Sequence, residues 1–221
     1  MIVYGRNPVR EALRGRREVS RVWETPETSP EEIERICGSP DHQGICAEAA
    51  PYPYADADSL FADPEALVVC LDEVQDPRNL GAVCRVAEAA GVAGVVIPER
   101  RSAEVTAATC KASAEAVEHL AVARVRNLAD WLAAAKQREA WVYGADAESD
   151  VPYDRPDYRG RVVLVLGSEG KGLRPRVADS CDALIALPQG GRVGSLNVSA
   201  AAAALMYGIL HLRKSGVDRG P

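Results

Sequence analysis

Three stretches of this chain set polar side chains among glycines at spacings that suit ligand binding. The first, Asp72-Glu73-Val74-Gln75-Asp76-Pro77-Arg78-Asn79-Leu80-Gly81-Ala82-Val83-Cys84-Arg85, combines a proline that rigidifies a turn, Asn79 as a candidate helix cap, and the cation Arg85. The spacing from 79 to 85 puts these two side chains on different helix faces, so Arg85 must reach back toward the helix N-terminus. The second, Gly167-Ser168-Glu169-Gly170-Lys171-Gly172-Leu173-Arg174-Pro175, exposes backbone N–H and C=O groups around one central acid, Glu169. The third runs Pro188-Gln189-Gly190-Gly191-Arg192-Val193-Gly194-Ser195-Leu196-Asn197, where glycines permit close backbone approach and Ser195 and Asn197 are both capable N-caps. The chemistry on offer is recognition of a ligand by backbone groups, helped by a few amides, one carboxylate and one guanidinium. Taken singly, each stretch also fits an ordinary loop before a capped helix.

Familiar alternatives fail on spacing. The 167–175 loop cannot be matched to G-x-x-x-x-G-K-[ST], and Pro175 stands where a dinucleotide loop needs its third glycine. Ser168 follows Gly167 directly and no nearby histidine could serve it, so there is no nucleophile elbow. His42, His119 and His211 lie far apart, without cysteine or histidine at ligand spacing, and no metal is expected. The six cysteines contain no C-x-x-C pair and read as buried free thiols of a reducing compartment.

Short continuous apolar runs alternate with helical stretches from Leu67 onward. Strands are expected at 67–71, 94–97, 121–125, 141–144, 161–167 and 183–187, with helices near 80–90, 104–117, 128–138 and 174–179 and a final helix from Val198 to Leu212. Such runs mean an α/β fold with a parallel sheet covered by helices on both faces. Ligands in such sheets sit beyond the strands' carboxyl ends, where all three glycine-bearing loops fall. Residues 1–48 form a small separate module with helices after Asn7-Pro8 and at 30–37 and a strand at 19–23. Residues 49–66, rich in Pro, Ala and Asp, read as a linker, 67–213 as the main domain and 214–221 as a frayed tail.

Composition narrows the partners. With 221 residues, 47% of them hydrophobic, the chain can bury a real core. A net charge of −6 excludes a general polycation, so any nucleic acid must be met by a local patch. The densest cationic cluster is Arg10, Arg14, Arg16, Arg17 and Arg21, diluted by Glu11 and Glu18, which suits either a solvated helix face or phosphate contact. Aromatics total 5%, against broad base-stacking platforms. The N-terminus lacks an apolar signal region and no run suits a membrane span, which reads as a soluble, cytoplasmic protein.

In order and spacing, Asn79-x-Gly81-x-x-x-Arg85, Gly167-x-Glu169-x-x-Gly172 and Pro188-x-x-Gly191-x-x-x-Ser195-Leu196-Asn197-Val198-Ser199 resemble the three motifs of the SpoU (TrmH-like) family of RNA ribose 2′-O-methyltransferases in the SPOUT superfamily. The likeness covers roughly 67–213, and His42-Gln43-Gly44-Ile45 resembles the element that ends the family's N-terminal RNA-binding domain. The resemblance implies a C-terminal deep trefoil knot, a departure from the general avoidance of knots. It also implies a preceding L30e-like α+β module, shortened here, and a homodimer. S-adenosylmethionine would be the cofactor, leaving as S-adenosylhomocysteine, with Gly167, Leu187 and Leu196 in contact and Gly191 giving room. Asn79, Arg85, Glu169, Ser195 and Asn197 match the polar catalytic positions, Arg85 near RNA phosphate or the nucleophile, and Glu169 fixing the loops or Arg85. Arg10, Arg14 and Arg17 would bind RNA. Lys111, Ser113, Glu118 and His119 would border the site, and Glu115 stands where the pattern has glycine.

The implied reaction is methyl transfer to a ribose 2′-hydroxyl of structured RNA, above all a guanosine of 23S ribosomal RNA. Transfer RNA and antibiotic-resistance ribosomal sites are alternatives. A non-catalytic RNA-binding or assembly protein on the same fold, and a nucleotide-dependent enzyme using the Lys171 loop, are the other classes.

Overall fold

The computed structural model describes residues 1–15, 17–191 and 195–216. Arg16 of the basic cluster, Arg192, Val193 and Gly194 of the last glycine loop, and 217–221 of the expected tail lie outside the described residues.

The small module consists of β1 (Ile2–Tyr4), α1 (Arg6–Arg14), β2 (Val19–Glu24), α2 (Pro30–Cys37) and β3 (Ile45–Ala49), with an antiparallel sheet in the order β1-β3-β2. Its core is Val3, Val9, Ala12, Ala47 and Ala49. Periodicity missed β1 and β3 because runs of three and five residues carry too little alternation. The Gly5-Arg6 turn and the His42-Gln43-Gly44-Ile45 element are one feature: Gln43 Oε1 accepts from Arg6 N at 3.0 Å, and Gly5 N donates to Ile45 O at 3.0 Å.

The main domain follows as β4 (Leu67–Asp72), α3 (Pro77–Ala89), β5 (Gly94–Pro98), α4 (Ala107–Ala112), β6 (Val122–Val125), α5 (Leu128–Lys136), β7 (Trp141–Ala145), β8 (Val162–Gly167), α6 (Pro175–Ala178), β9 (Ala183–Ile185) and α7 (Val198–Gly216). The six strands are parallel in the order β6-β5-β4-β8-β7-β9. The period of two divides each strand between two cores. Leu67, Val69 and Leu71 of β4 pack with Leu80 and Val83 of α3 and with Leu205, Met206 and Ile209 of α7. Val68 and Cys70 pack on the other face with Leu128 and Leu132 of α5. The chain runs outward from β4 through β5 to β6, then returns on the far side of β4. The reversal between β4 and β8 opens a crevice at their carboxyl ends, where Asp72 and Gly167 are register partners.

Three expectations need correcting. The segment 49–66 is not a free linker: Ala57–Phe61 forms a 3₁₀ turn with Leu60 and Phe61 buried, Phe61 stacks on Trp131, and Ala55 N donates to Val122 O at 2.9 Å. Its apolar residues cover the sheet's edge, which composition alone disguised. The helix expected over 104–117 is broken into α4 and a 3₁₀ turn at Ala116–Glu118, because Ala114 and Glu115 take positive φ. The final helix continues through 214–216, and its end is pinned where Arg213 donates to the carbonyls of Tyr158, Glu65 and Gly160.

Candidate active site

The three loops converge at the crevice, and each is set there by a local device. Asp76, not Asn79, caps α3: its side chain accepts from Arg78 N at 2.8 Å with Pro77 in the first helical position. Asn79 thereby sits in the first turn with its amide free for other partners. The loop after β8 folds back on itself through reciprocal hydrogen bonds between Ser168 and Gly172. Arg174 then ties that loop to β4, donating from its backbone N and from Nε to Asp72, both at 2.8 Å. Asp72 is wholly buried, and the signal for it was a carboxylate ending an apolar strand, which the motif reading passed over. Asn197 caps α7, with Oδ1 accepting from Ser199 N at 2.9 Å.

Together these devices bring three residues from three separate segments into one cluster. Asn79 Nδ2 donates to Glu169 Oε1 at 3.1 Å, Asn197 Nδ2 donates to Asn79 Oδ1 at 3.1 Å, and Asn197 Nδ2 also donates to Glu169 Oε1. Two amides and a carboxylate held this way form a fixed polar surface with lone pairs remaining on Glu169. Glu169 joins the loops to one another rather than to Arg85.

Two cavities meet at this cluster. The larger, about 450 Å³, is lined by Gly167, Leu187, Ser195, Leu196, Val198 and Leu205 among others, which is a ligand-sized volume. Gly170 and Gly172, at φ +76° and +66°, also line it, and a Cβ on either would stand in open space. Gly167 is different: a Cβ there would lie 2.1 Å from the Gly172 carbonyl carbon, so the loop closes only over a hydrogen. The second cavity, about 240 Å³, is bounded by Glu73, Gln75, Asn79 and Glu169 and shares Ser168, Glu169, Lys171 and Val198 with the first.

The remaining expected residues scatter. Gly191 is exposed and is not among the residues lining either cavity. Arg85 is exposed on α3 and makes no hydrogen bond or ion pair among the described residues, although its charge acts on Glu115. Arg10 and Arg14 are exposed and share Glu11 at 3.1 and 3.4 Å. Arg17 is removed from the expected RNA-binding set: its side chain is 1% exposed and paired with Glu118, which holds the small module onto the main domain. Lys111 joins the same seam by an ion pair to Asp41 at 2.9 Å, and His119 lies 3.2 Å from Glu11. Among the described residues no group of His, Cys, Asp or Glu is arranged to hold a metal, and no helix is long and apolar enough to cross a membrane. Burial pushes the thiols of Cys84 and Cys110 up to about 12 and about 11.

Residues 66–207 match the model of the SpoU rRNA methylase family. The chain belongs to that family. A Bacillus subtilis relative whose name, YacO, is placed in the TrmH family of tRNA/rRNA methyltransferases is 37% identical over 96% of this chain and 95% of its own. Two solved structures share the fold. The SpoU methyltransferase AviRb from Streptomyces viridochromogenes, in complex with AdoMet, has a TM-score of 0.84 at 22% identity and covers 97% of this chain and 91% of its own. An RNA 2′-O ribose methyltransferase has a TM-score of 0.81 at 23% identity over 97% of this chain and 89% of its own.

As a SpoU-family chain, the molecule uses Gly81 and residue 115 for reasons visible in the packing. A Cβ on Gly81 would stand 2.6 Å from Ala112 Cβ and 2.8 Å from Thr109 O, so glycine lets α3 and α4 touch. At 115 the backbone is left-handed, and Glu115 adopts φ +68°. A glycine would take that conformation freely, and this chain meets it with a strained glutamate.

Proposed function

We propose that this protein transfers a methyl group from S-adenosylmethionine to a ribose 2′-hydroxyl of structured RNA, at a guanosine of large-subunit ribosomal RNA. The observation that carries the reading is the joining of Asn79, Glu169 and Asn197 at the wall between two cavities, one sized for a cofactor. The larger cavity fits the cofactor in kind as well as size. Gly170 and Gly172 leave open space along its edge, while Leu187, Leu196, Val198 and Leu205 supply apolar wall.

When bound, S-adenosylmethionine supplies an electrophilic methyl carbon on a sulfonium. The chain's own residues then do positioning work. Gly167, Leu187 and Leu196 form the cofactor wall. Asn79 and Asn197 hold the Glu169 carboxylate at the junction, where its free lone pairs accept a hydrogen bond from the 2′-hydroxyl and fix its lone pair in line with the methyl group. Ser195 lies on the cofactor side of the same junction. Arg85, exposed and unpaired among the described residues, meets RNA phosphate, and Arg10 and Arg14 extend that contact on the small module, a shortened L30e-like domain.

The proposed threading of the last strand, loop and helix into a trefoil knot accounts for two distant segments sharing one cavity wall. A homodimer is proposed because α7 leaves Ala200, Ala204 and Tyr207 exposed along one helical face, Tyr207 by 52%. The deciding experiment incubates the protein with tritiated S-adenosylmethionine and ribosomal RNA and compares calorimetric binding of S-adenosylhomocysteine with that of ATP. Labelled RNA with selective S-adenosylhomocysteine binding supports the reading. ATP binding without labelling would replace it with a nucleotide-dependent enzyme.

A further inference from the structure

The smaller cavity has its own chemistry. Its wall is the loop after β4, Glu73 to Asp76, facing Asn79 and the Ser168 to Lys171 loop. At about 240 Å³ it is the size of one nucleoside, and it opens against the same cluster that borders the larger cavity. The polar groups around it are not equally available. Asp76 Oδ1 is used by the backbone N of Arg78, and Glu169 Oε1 by two amides. Glu73 makes only loose contacts through Oε1, 3.4 Å to Arg101 and 3.6 Å to Arg174, and Oε2 makes no hydrogen bond among the described residues. The Gln75 side chain is exposed and likewise makes none. Glu73 also holds φ +56°, a left-handed conformation that non-glycine residues seldom adopt. Such strain persists where the surroundings dictate the conformation, often at ligand sites.

The geometry points to this cavity as the pocket that reads the target base, with Glu73 and Gln75 as the specificity-determining residues and guanine as the base they select. A carboxylate only accepts, and two adjacent N–H groups are its best partners. Guanine alone among the four bases presents N1–H and N2–H₂ side by side on its Watson–Crick edge, with O6 next to them for the Gln75 amide to donate to. A base unstacked from its helix exposes that edge. Uracil and adenine offer one donor site each there, and cytosine lacks the paired donors. The ribose of a nucleoside so held lies at the Asn79, Glu169 and Asn197 junction.

This inference rests on the proposed methyl transfer, and its test separates the two. Full-length protein is incubated with tritiated S-adenosylmethionine and ribosomal RNA lacking its native methylation, the RNA is digested to nucleosides, and the radioactive species is identified. The same assay is run on Glu73→Gln and Gln75→Leu, with S-adenosylhomocysteine affinity measured for each. The expected result is label in 2′-O-methylguanosine, reduced on the order of 10- to 100-fold in kcat/KM by either substitution, with S-adenosylhomocysteine affinity unchanged. Unchanged affinity shows that each variant is folded, and Gln75→Leu keeps the test open if Glu73→Gln disturbs Arg174. Label in any other nucleoside, or wild-type rates in both variants, overturns the base pocket while leaving methyl transfer standing. No label from the wild-type protein overturns the methyl-transfer reading itself.

Discussion

Asn197 Nδ2 lies 3.1 Å from Asn79 Oδ1, joining residues 118 positions apart in the chain. Because Asn197 also caps α7 through its Oδ1, one side chain fixes a helix start and a contact between distant segments together. Asn79 lines only the smaller cavity. Asn79→Ala is therefore expected to lower methyl transfer about 100-fold through misalignment while S-adenosylhomocysteine affinity stays within a few fold. Calorimetry beside tritium incorporation checks this; equal losses in both would place Asn79 in the cofactor site. Arg85→Ala is expected to abolish labelling without unfolding the protein, and labelling that persists would remove Arg85 from the site.

Gly167 and Gly190 make a contrasting pair. A Cβ at 167 would enter backbone atoms of Gly172 and Leu173 at 2.1–2.4 Å, whereas one at 190 would meet nothing within 4 Å. Gly167→Ala must open the loop and is expected to weaken S-adenosylhomocysteine binding at least tenfold, a change of about 1.4 kcal/mol. Gly190→Ala is expected to leave it unchanged. Parallel titrations decide, and a tight-binding Gly167→Ala protein would show that the loop's closure does not shape the cavity.

The seam between module and main domain holds a buried ion pair, Arg17 with Glu118, whose side chains are 1% and 2% exposed. Removing one partner strands a buried charge, so Glu118→Ala is expected to cost about 3–5 kcal/mol. Arg17→Met with Glu118→Leu is expected to recover most of that. The double change also removes Arg17 Nη1, a buried donor without a partner among the described residues. Urea unfolding midpoints provide the comparison, and a double variant as unstable as Glu118→Ala would refute the charge argument.

Glu115 is 94% buried by its 6% exposure, and burial, followed by repulsion from Glu11, raises its carboxyl pKa above the ordinary value. Its protonated form is the one the fold favours, so its contribution is fully present below the unfolded pKa and is lost as pH rises through the raised folded pKa. Glu115→Gln is expected to be progressively more stable than wild type as pH climbs above the ordinary carboxylate range toward neutrality. Glu115→Gly also relieves the φ +68° backbone, by about 1 kcal/mol. Thermal unfolding from pH 4 to pH 8 tests both, and parallel wild-type and Gln curves would sink the linkage.

Much of the architecture was legible because its signals are local. Runs such as LVVCL and VVLVLG are too short and too continuously apolar for surface helices, and β4 and β8 formed where they stand. The caps were less legible: Asp76 and Asn79 are both competent, and only the turn geometry around Pro77 chose Asp76. Arg17 shows the limit of composition. Its charge promised RNA contact, but only the docking of the module against Glu118 revealed it as an internal ion pair.

By itself the sequence determined the alternation of strands and helices, the three glycine-bearing loops, and a motif pattern specific enough to name the family, since each depends on residues close together in the chain. The tertiary structure alone decided that Asn79, Glu169 and Asn197 touch, that 49–66 is packed, and that a second cavity faces Glu73 and Gln75. The reason is physical: these features arise from parallel pairing of β4 with β8 and from packing of α7 on α3, contacts between segments roughly a hundred residues apart. No local pattern encodes the register in which such distant segments meet.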